Sequence, residues 1–516
     1  MRSTFAGLSI AQSGLFAAQR SLDITGHNIA NANTKGYTRQ RLDQAAATPM
    51  NIPSGKGQMG LGVEMLKITQ VRDELLDIQF RTQNTDLGFW EERFNSLSRV
   101  EAVFNEPNDN GIRKVMDKFY TSLHDLSKDP SNPTARAVAL QNGVSLAQTF
   151  NDMNTQFEKM VMDLDTEVVA SVREVNTYAQ QIALLNEEIY RVELSGQKAN
   201  DLRDKRNLLI DDLSKLIDIQ VIDVQEPGTL NTRMNILVQG TALVRHNETN
   251  LIKLVEGQEH NLTKDGKDAN PPRDNLSTVR VNNISWSTDA PINQSILKGA
   301  LGGQLAQRDN IDGDVKGVPY YIRMINEFAS EFANAFNEVH EGGQGLKGET
   351  GLKLFAANGD GGSTELINAK NIRINQDLIR EPSKFGVGLT SAVDDNKNVL
   401  RMIELREQSL TLQINYTAAS GKSNSDLSIG KPDDIMKSLI GVVGVDAQQS
   451  ERIFENQITI TQSIETFRMS VSGVHLDEEM SNMIRYQHAY NASARMITTV
   501  DEMIDVIINR MGRVGL

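Results

Sequence analysis

Residues 8–29 read LSIAQSGLFAAQRSLDITGHNI. Within them Leu8, Ala11, Leu15, Ala18, Leu22, Thr25 and Ile29 recur at alternating spacings of three and four, and all but Thr25 are apolar. A stripe with that period is one face of a helix, and its heptad regularity is that of a coiled-coil seam. The far end of the chain repeats the pattern in Leu476, Met480, Met483, Gln487, Tyr490, Ala494, Ile497, Asp501, Ile504, Ile508 and Met511. Chain ends fray unless something ties them down. Two seams at opposite ends therefore predict that the ends hold each other, as a parallel or an antiparallel pair. Their charges are biased oppositely: residues 1–41 carry five basic residues against Asp23, and residues 471–516 carry six acidic against four basic.

Proline breaks helix interiors, and the twelve prolines leave residues 1–48, 134–226 and 433–516 free of it. Long helices belong in these tracts. In the middle one, Val168, Val172, Val175, Ala179, Ile182, Leu185 and Ile189 form a stripe that stops at Ser195-Gly196. A second helix starts near Asn200 or Asp201, either of which can cap it, and the two make a helical hairpin. Further amphipathic helices run through Ile322, Ile325, Ala329, Phe332, Phe336 and Val339, and through Ile453, Ile460, Ile464, Phe467 and Val471. Alternation at 218–224, 235–238 and 279–281 reads as strands, and the eight glycines of residues 342–362 read as a loop. The expected fold is mainly α with an inserted antiparallel β-domain, elongated and multidomain. Residues 1–48 plus 473–516 form a terminal coiled-coil domain. Residues 60–217 plus 303–345 plus 391–472 form a helical bundle, and 218–302, with 364–390 as a further strand segment, form the β-insertion.

The chain has 516 residues, no cysteine, and a formal charge of −14. The first fact predicts two to four domains at roughly 100–200 residues each. The second excludes disulfides and thiolate chemistry. The third argues against nucleic acid as a partner, since phosphate binding needs a basic footprint. There is no apolar run of membrane-spanning length and no signal-peptide core at the N-terminus, so no membrane partner is expected. Residues 55–60 spell GKGQMG, but prolines rather than a strand precede them and a strand-like run follows, so a turn is expected there, not a nucleotide loop. Asp265-Gly266 and Asp312-Gly313 lack the remaining ligands of a calcium loop and read as hairpin turns. His340-Glu341 lacks a second metal-spaced histidine, and His475 and His488 read as solvated or packed. No catalytic, cofactor or metal site is expected, and the chain is not read as an enzyme.

After the first seam, residues 25–40 read TGHNIANANTKGYTRQ. Clustered asparagines compete for backbone hydrogen bonds and end a helix, and Gly36 permits positive φ. This stretch resembles the N-terminal signature of the bacterial flagellar axial proteins of rod, hook and hook-associated type. Residues 62–73, the hairpin segments 182–186 and 199–206, residues 303–309 and 337–340, and residues 472–490 extend the likeness toward the hook-associated protein 1 family, the first hook–filament junction proteins. The inserted region is too short for the large extra outer domain of longer relatives.

That resemblance implies a structural subunit that joins hook to filament after unfolded export through the flagellar type III pathway, and hence a secreted, extracellular location. The implied partners are further copies of itself in a ring or tube, the hook protein, the second hook–filament junction protein, and a cytoplasmic export chaperone at the C-terminal helix. The residues expected to serve assembly are Leu8, Leu15, Leu22, Ile29, Asn28, Asn31, Asn33, Gly36 and Tyr37 at one end. At the other they are Leu476, Met480, Met483, Tyr490, Ile497, Ile504 and Ile508. Since Ala11 and Ala18 bury little area, the terminal pair is expected to form only among assembled copies. Another axial protein, or a secreted binding module carried by the β-insertion, is the competing expectation.

Overall fold

The computed structural model describes residues 6–51, 58–104, 111–225, 232–261, 278–310, 315–390, 392–417, 423–506 and 508. The first half of GKGQMG (residues 55–57), both Asp-Gly turns and Met511 lie outside them. In chain order the elements are α1 (Ala6–Ala30), β1 (Gln40–Ala46), β2 (Met50–Asn51), β3 (Gln58–Met59), β4 (Val63–Gln70), α2 (Glu74–Phe104), α3 (Ile112–Lys128), α4 (Pro133–Glu193) and α5 (Asn200–Leu216). There follow β5 (Gln220–Gln225), β6 (Thr232–Val238), β7 (Thr241–Arg245), β8 (Glu248–Thr249), β9 (Ile252–Asn261) and β10 (Thr278–Trp286). The chain continues with α6 (Gly299–Asp309), α7 (Val318–Glu341), β11 (Phe355–Ala357), β12 (Ile372–Ile374), α8 (Gln376–Arg380), α9 (Lys397–Glu404), β13 (Leu410–Thr417), β14 (Ser423–Gly430), α10 (Pro432–Ser472) and α11 (Leu476–Asp505). The fold is mainly helical, with small antiparallel sheets inserted. Two long helices open on a proline, Pro133 in α4 and Pro432 in α10, where the missing N–H has no intrahelical partner to lose.

The chain divides into two compact units. One comprises residues 1–84, 175–251 and 458–516, the other 85–174 and 252–457.

The strands of 218–302 do not make one sheet. β5-β6-β7-β8 form a four-stranded antiparallel sheet, while β9 and β10 pair only with each other. The strand of the 364–390 segment, β12, pairs with β11 from the glycine-rich loop and joins neither. Residues 391–472, expected to be helical, also contain the β13–β14 hairpin. The alternating run LTLQINYT was the signal for it.

In the second unit, α7 buries Phe328, Phe332 and Phe336 against Phe119, Phe150 and Phe355. The ring centroids of Phe332 and Phe336 are 4.7 Å apart. At the end of α7, His340 is 1% exposed. Its Nε2 accepts from the Gly386 amide at 3.0 Å, and its Nδ1 meets the Leu352 carbonyl. Burial lowers its pKa to about 4, so the ring is neutral with its proton on Nδ1.

Candidate functional site

The first unit brings the two chain ends together. A Cβ placed on Gly7 would lie 3.8 Å from Val500 Cγ2, and one on Gly14 3.2 Å from Ser493 Oγ. Asn28 Nδ2 donates to Glu479 Oε2 at 3.1 Å. In each of these pairs the two residue numbers total 507, so α1 and α11 run antiparallel in one unbroken register. That register puts Ser21 opposite Tyr486, and both line one cavity of about 200 Å3.

The contact line on α1 is thus Gly7, Ala11, Gly14, Ala18, Ser21, Thr25 and Asn28, a heptad series of small and polar residues. Of these, Ala11, Ala18, Ser21, Thr25 and Asn28 are buried. The expected Leu8, Leu15, Leu22 and Ile29 sit one position over and are half-buried. Small residues let the helix backbones approach closely, and the larger side chains flank the contact. The same shift applies to α11. Met483, Tyr490, Ile497 and Ile504 are half-buried and Val500 is buried. Leu476 and Met480 are 48% and 54% exposed. Ile508 is 67% exposed. The pair is closed within one chain, from residues 7–28 against 479–500. Polar contacts lock the pair where the small residues bury little area.

Asn28 is the hub of that lock. Its Nδ2 also donates to the Gln40 carbonyl at 2.9 Å, and its Oδ1 accepts from Tyr37 Oη at 2.8 Å and the Gln40 amide at 3.0 Å. Asn31 Nδ2 donates to the His27 carbonyl at 3.0 Å and closes the end of α1. Asn33 is exposed. Gly36 turns with φ 81°, and a Cβ there would come within 3.2 Å of the Leu208 Cβ on α5. Burial, then the carboxylates of Asp201, Asp204 and Glu479, push the Tyr37 phenol up, so it stays a donor.

The signature loop docks on α5. The Thr38 amide donates to Asp204 Oδ2 at 3.0 Å, Gln40 Nε2 to Asp201 Oδ1 at 2.7 Å, and Gln70 Nε2 to Asp204 Oδ1 at 2.7 Å. Asn200 does not cap α5; Ala199 holds the cap position, and the Asn200 amide reaches Gln40 Oε1 and the Ile68 carbonyl, both at 3.2 Å. The start of α11 joins from the other side: Arg39 Nη1 donates to Glu478 at 2.7 Å and the Arg39 amide to the Ser472 carbonyl at 2.8 Å. Three motifs far apart in sequence, 25–40, 199–206 and 472–480, thus converge.

Sequence reasoning missed the ionic seam beneath them. Arg72 pairs with Asp77 and lies 3.8 Å from Asp204. Arg468 pairs with Asp211 and lies 3.5 Å from Asp77, and Arg81 Nε is 2.8 Å from Asp211. The Arg468 guanidinium lies 4.1 Å from the centroid of the Phe80 ring. Burial raises Asp204 to about 6, opposed by its bonds to Thr38 and by Arg72. The seam overturns the expected inward face of α10. Gln457, Thr461 and Ser472 are buried and Arg468 reaches the aspartates, while Ile460, Phe467 and Val471 are exposed. The signal was the i, i+4 spacing of Asp77 and Arg81 with the i, i+7 spacing of Asp204 and Asp211, each setting one helix face.

The chain is similar along its length to known proteins. Residues 97–355 match the family of the flagellar hook-associated protein FlgK helical domain. Residues 8–38 match the flagella basal body rod protein family, and 468–511 the C-terminal family of the flagellar basal body rod FlgEFG proteins. Flagellar hook-associated protein 1 of Bacillus subtilis (strain 168) is 34% identical over 99% of both chains. The protein of the same name from Escherichia coli (strain K12) is 24% identical over 97% of this chain and 98% of its own. The flagellar hook junction protein FlgK from Burkholderia pseudomallei has a TM-score of 0.58 at 14% identity, covering 76% of this chain and all of that one, and so shares the fold. The full-length similarity and the matched terminal and helical segments agree: the chain belongs to the flagellar hook-associated protein 1 family, structural components of the bacterial flagellum.

Proposed function

We propose that this chain forms the junction between hook and filament, assembling through its paired ends. Copies of the chain are its lateral neighbours, the hook protein lies on one side and the second junction protein on the other. Residues 1–48 and 473–516 serve as the assembly domain. Residues 60–217, 303–345 and 391–472 are mainly helical, and 218–302 carry the inserted strands β5–β10. A cytoplasmic chaperone holds the C-terminal helix before type III export to the cell exterior, and the chain performs no catalysis.

The observation that carries this reading is the residue pattern of α11. One flank is consumed by α1, and another leaves Leu476, Met480 and Ile484 exposed at 48%, 54% and 57%. Large exposed apolar side chains in a row mark a surface that meets another protein. The test is deletion of the gene in its own bacterium. Cells are expected to keep hooks but shed filament subunits into the medium, and a full-length copy is expected to restore filaments. A copy lacking residues 476–516 is expected to restore none. Filaments that persist without the gene would overturn the reading.

A further inference from the structure

On α1, the residues that meet α11 occupy one side. At about 100° per residue, Phe16 and Asp23 point to the opposite side from Gly14 and Ser21, with Arg20 at its edge. There, α1 and the β1–β4 hairpin enclose an open groove of about 410 Å3. Phe16, Met65 and Leu66 line it and are 47%, 44% and 58% exposed, with Arg20 and Lys67 beside them. On α11, Leu476, Met480 and Ile484 follow one another at i, i+4 and form a short ridge of about 12 Å. It ends at Gln487 and His488, which are exposed and polar, and carries the exposed acid Asp477 at its start. Arg20 is met by Asp23 within the groove, which leaves Lys67 as the cation opposite in sign to Asp477. Groove and ridge are both apolar at their centres. They lie on different sides of one antiparallel pair, so they cannot meet within one chain.

We propose that the ridge Leu476-Met480-Ile484 of one copy seats in the Phe16-Met65-Leu66 groove of the next, with Asp477 beside Lys67. The inference rests on the assembly role proposed above and names its contact. Because two different patches are used, the contact is heterologous: each copy offers a ridge to one neighbour and a groove to the other, and the arrangement propagates around a ring or along a helix.

The absence of cysteine makes the test clean. Full-length Leu66→Cys and Met480→Cys chains are expressed together in cells lacking the native copy, and intact flagella are isolated and oxidised. Both positions are exposed, so both variants are expected to melt with the native chain. A disulfide-linked dimer joining position 66 of one copy to position 480 of another is expected, with a ladder of higher oligomers when one chain carries both substitutions. Lys67→Glu or Asp477→Lys alone is expected to lower the yield about tenfold, the effect of a 1.4 kcal/mol loss, and the two together to restore it. Flagella that contain the variants but give only 66–66 or 480–480 links, or none, would overturn the proposed contact and leave the assembly role standing. So would capture of a different axial protein by a photo-reactive residue at position 480. Absence of the unmutated chain from flagella would overturn the assembly role, and this contact with it.

Discussion

Asn28 and Glu479 are joined by a hydrogen bond of 3.1 Å across 451 positions of sequence. Asn28 is 1% exposed and Glu479 4%. A buried carboxylate persists only where donors satisfy it, and a buried amide only where its own four positions are matched. Asn28 meets both conditions, using Nδ2 twice and Oδ1 twice. The asparagine of the signature therefore does more than end a helix: it fastens the first helix to the last.

Asn28→Ala is expected to destabilise the first unit by about 3 kcal/mol, because Tyr37, Gln40 and Glu479 each lose a partner in a buried place. Asn28→Asp is expected to be worse at neutral pH, since it sets a second carboxylate against Glu479, and to recover on acidification. Urea midpoints at two pH values check both. An Asp variant no less stable than the Ala variant at neutral pH would contradict the hub.

The register of α1 against α11 predicts opposite outcomes for two glycines of one helix. A Cβ on Gly14 would meet Ser493, whereas one on Gly26 meets nothing within 4 Å. Gly26→Ala should stabilise the helix by up to about 1 kcal/mol. Gly14→Leu should cost about 1–3 kcal/mol by forcing the helices apart. Thermal melts distinguish them, and equal shifts would mean the register is wrong.

Arg468→Met is expected to cost about 3 kcal/mol, because it leaves Asp211 and Asp77 short of a cation in a mostly buried seam. Exchanging the exposed Phe467 for Ser should change stability by no more than about 0.5 kcal/mol. A stability loss larger for Phe467 than for Arg468 would restore the apolar stripe as the inward face of α10.

The helices were legible because period and proline placement record them directly: the stripe Val168 to Ala179 is buried as its spacing requires. The terminal seam was legible as a period but not as a contact line. Apolar character picks out Leu8, Leu15 and Leu22 together with Ala11 and Ala18; close helix approach keeps the two alanines but takes Gly7, Gly14 and Ser21, each one step from a leucine. The face of α10 was misread for a related reason. Hydrophobicity assigns Ile460 and Phe467 inward, but the demand of Asp77 and Asp211 for a cation turns Arg468 inward instead. Sheet membership was not legible in 218–302, because alternation marks a strand without naming its partner.

Acid is expected to act on the two units with opposite signs. His340 has its pKa lowered from 6.5 to about 4 by burial. Below 6.5 the unfolded chain takes up a proton that the folded one refuses, so stability falls as pH drops from 6.5 toward 4. The loss between pH 7.5 and 5 is about 2 kcal/mol. Asp204 runs the other way. Its pKa is raised from 3.8 to about 6, so the folded chain takes up its proton first. The first unit should gain about 1 kcal/mol over the same interval, since protonation relieves a buried charge. Urea titrations of the native chain, His340→Phe and Asp204→Asn at both pH values read the two effects as differences of slope. His340→Phe should remove the acid loss from the second unit, and Asp204→Asn should remove the acid gain from the first. Each variant also carries a constant offset, from the unpaired Gly386 amide in one case and the weakened Arg72 contact in the other, which cancels between pH values. If the His340 variant loses stability on acidification as steeply as the native chain, its ring is not the buried neutral group described here.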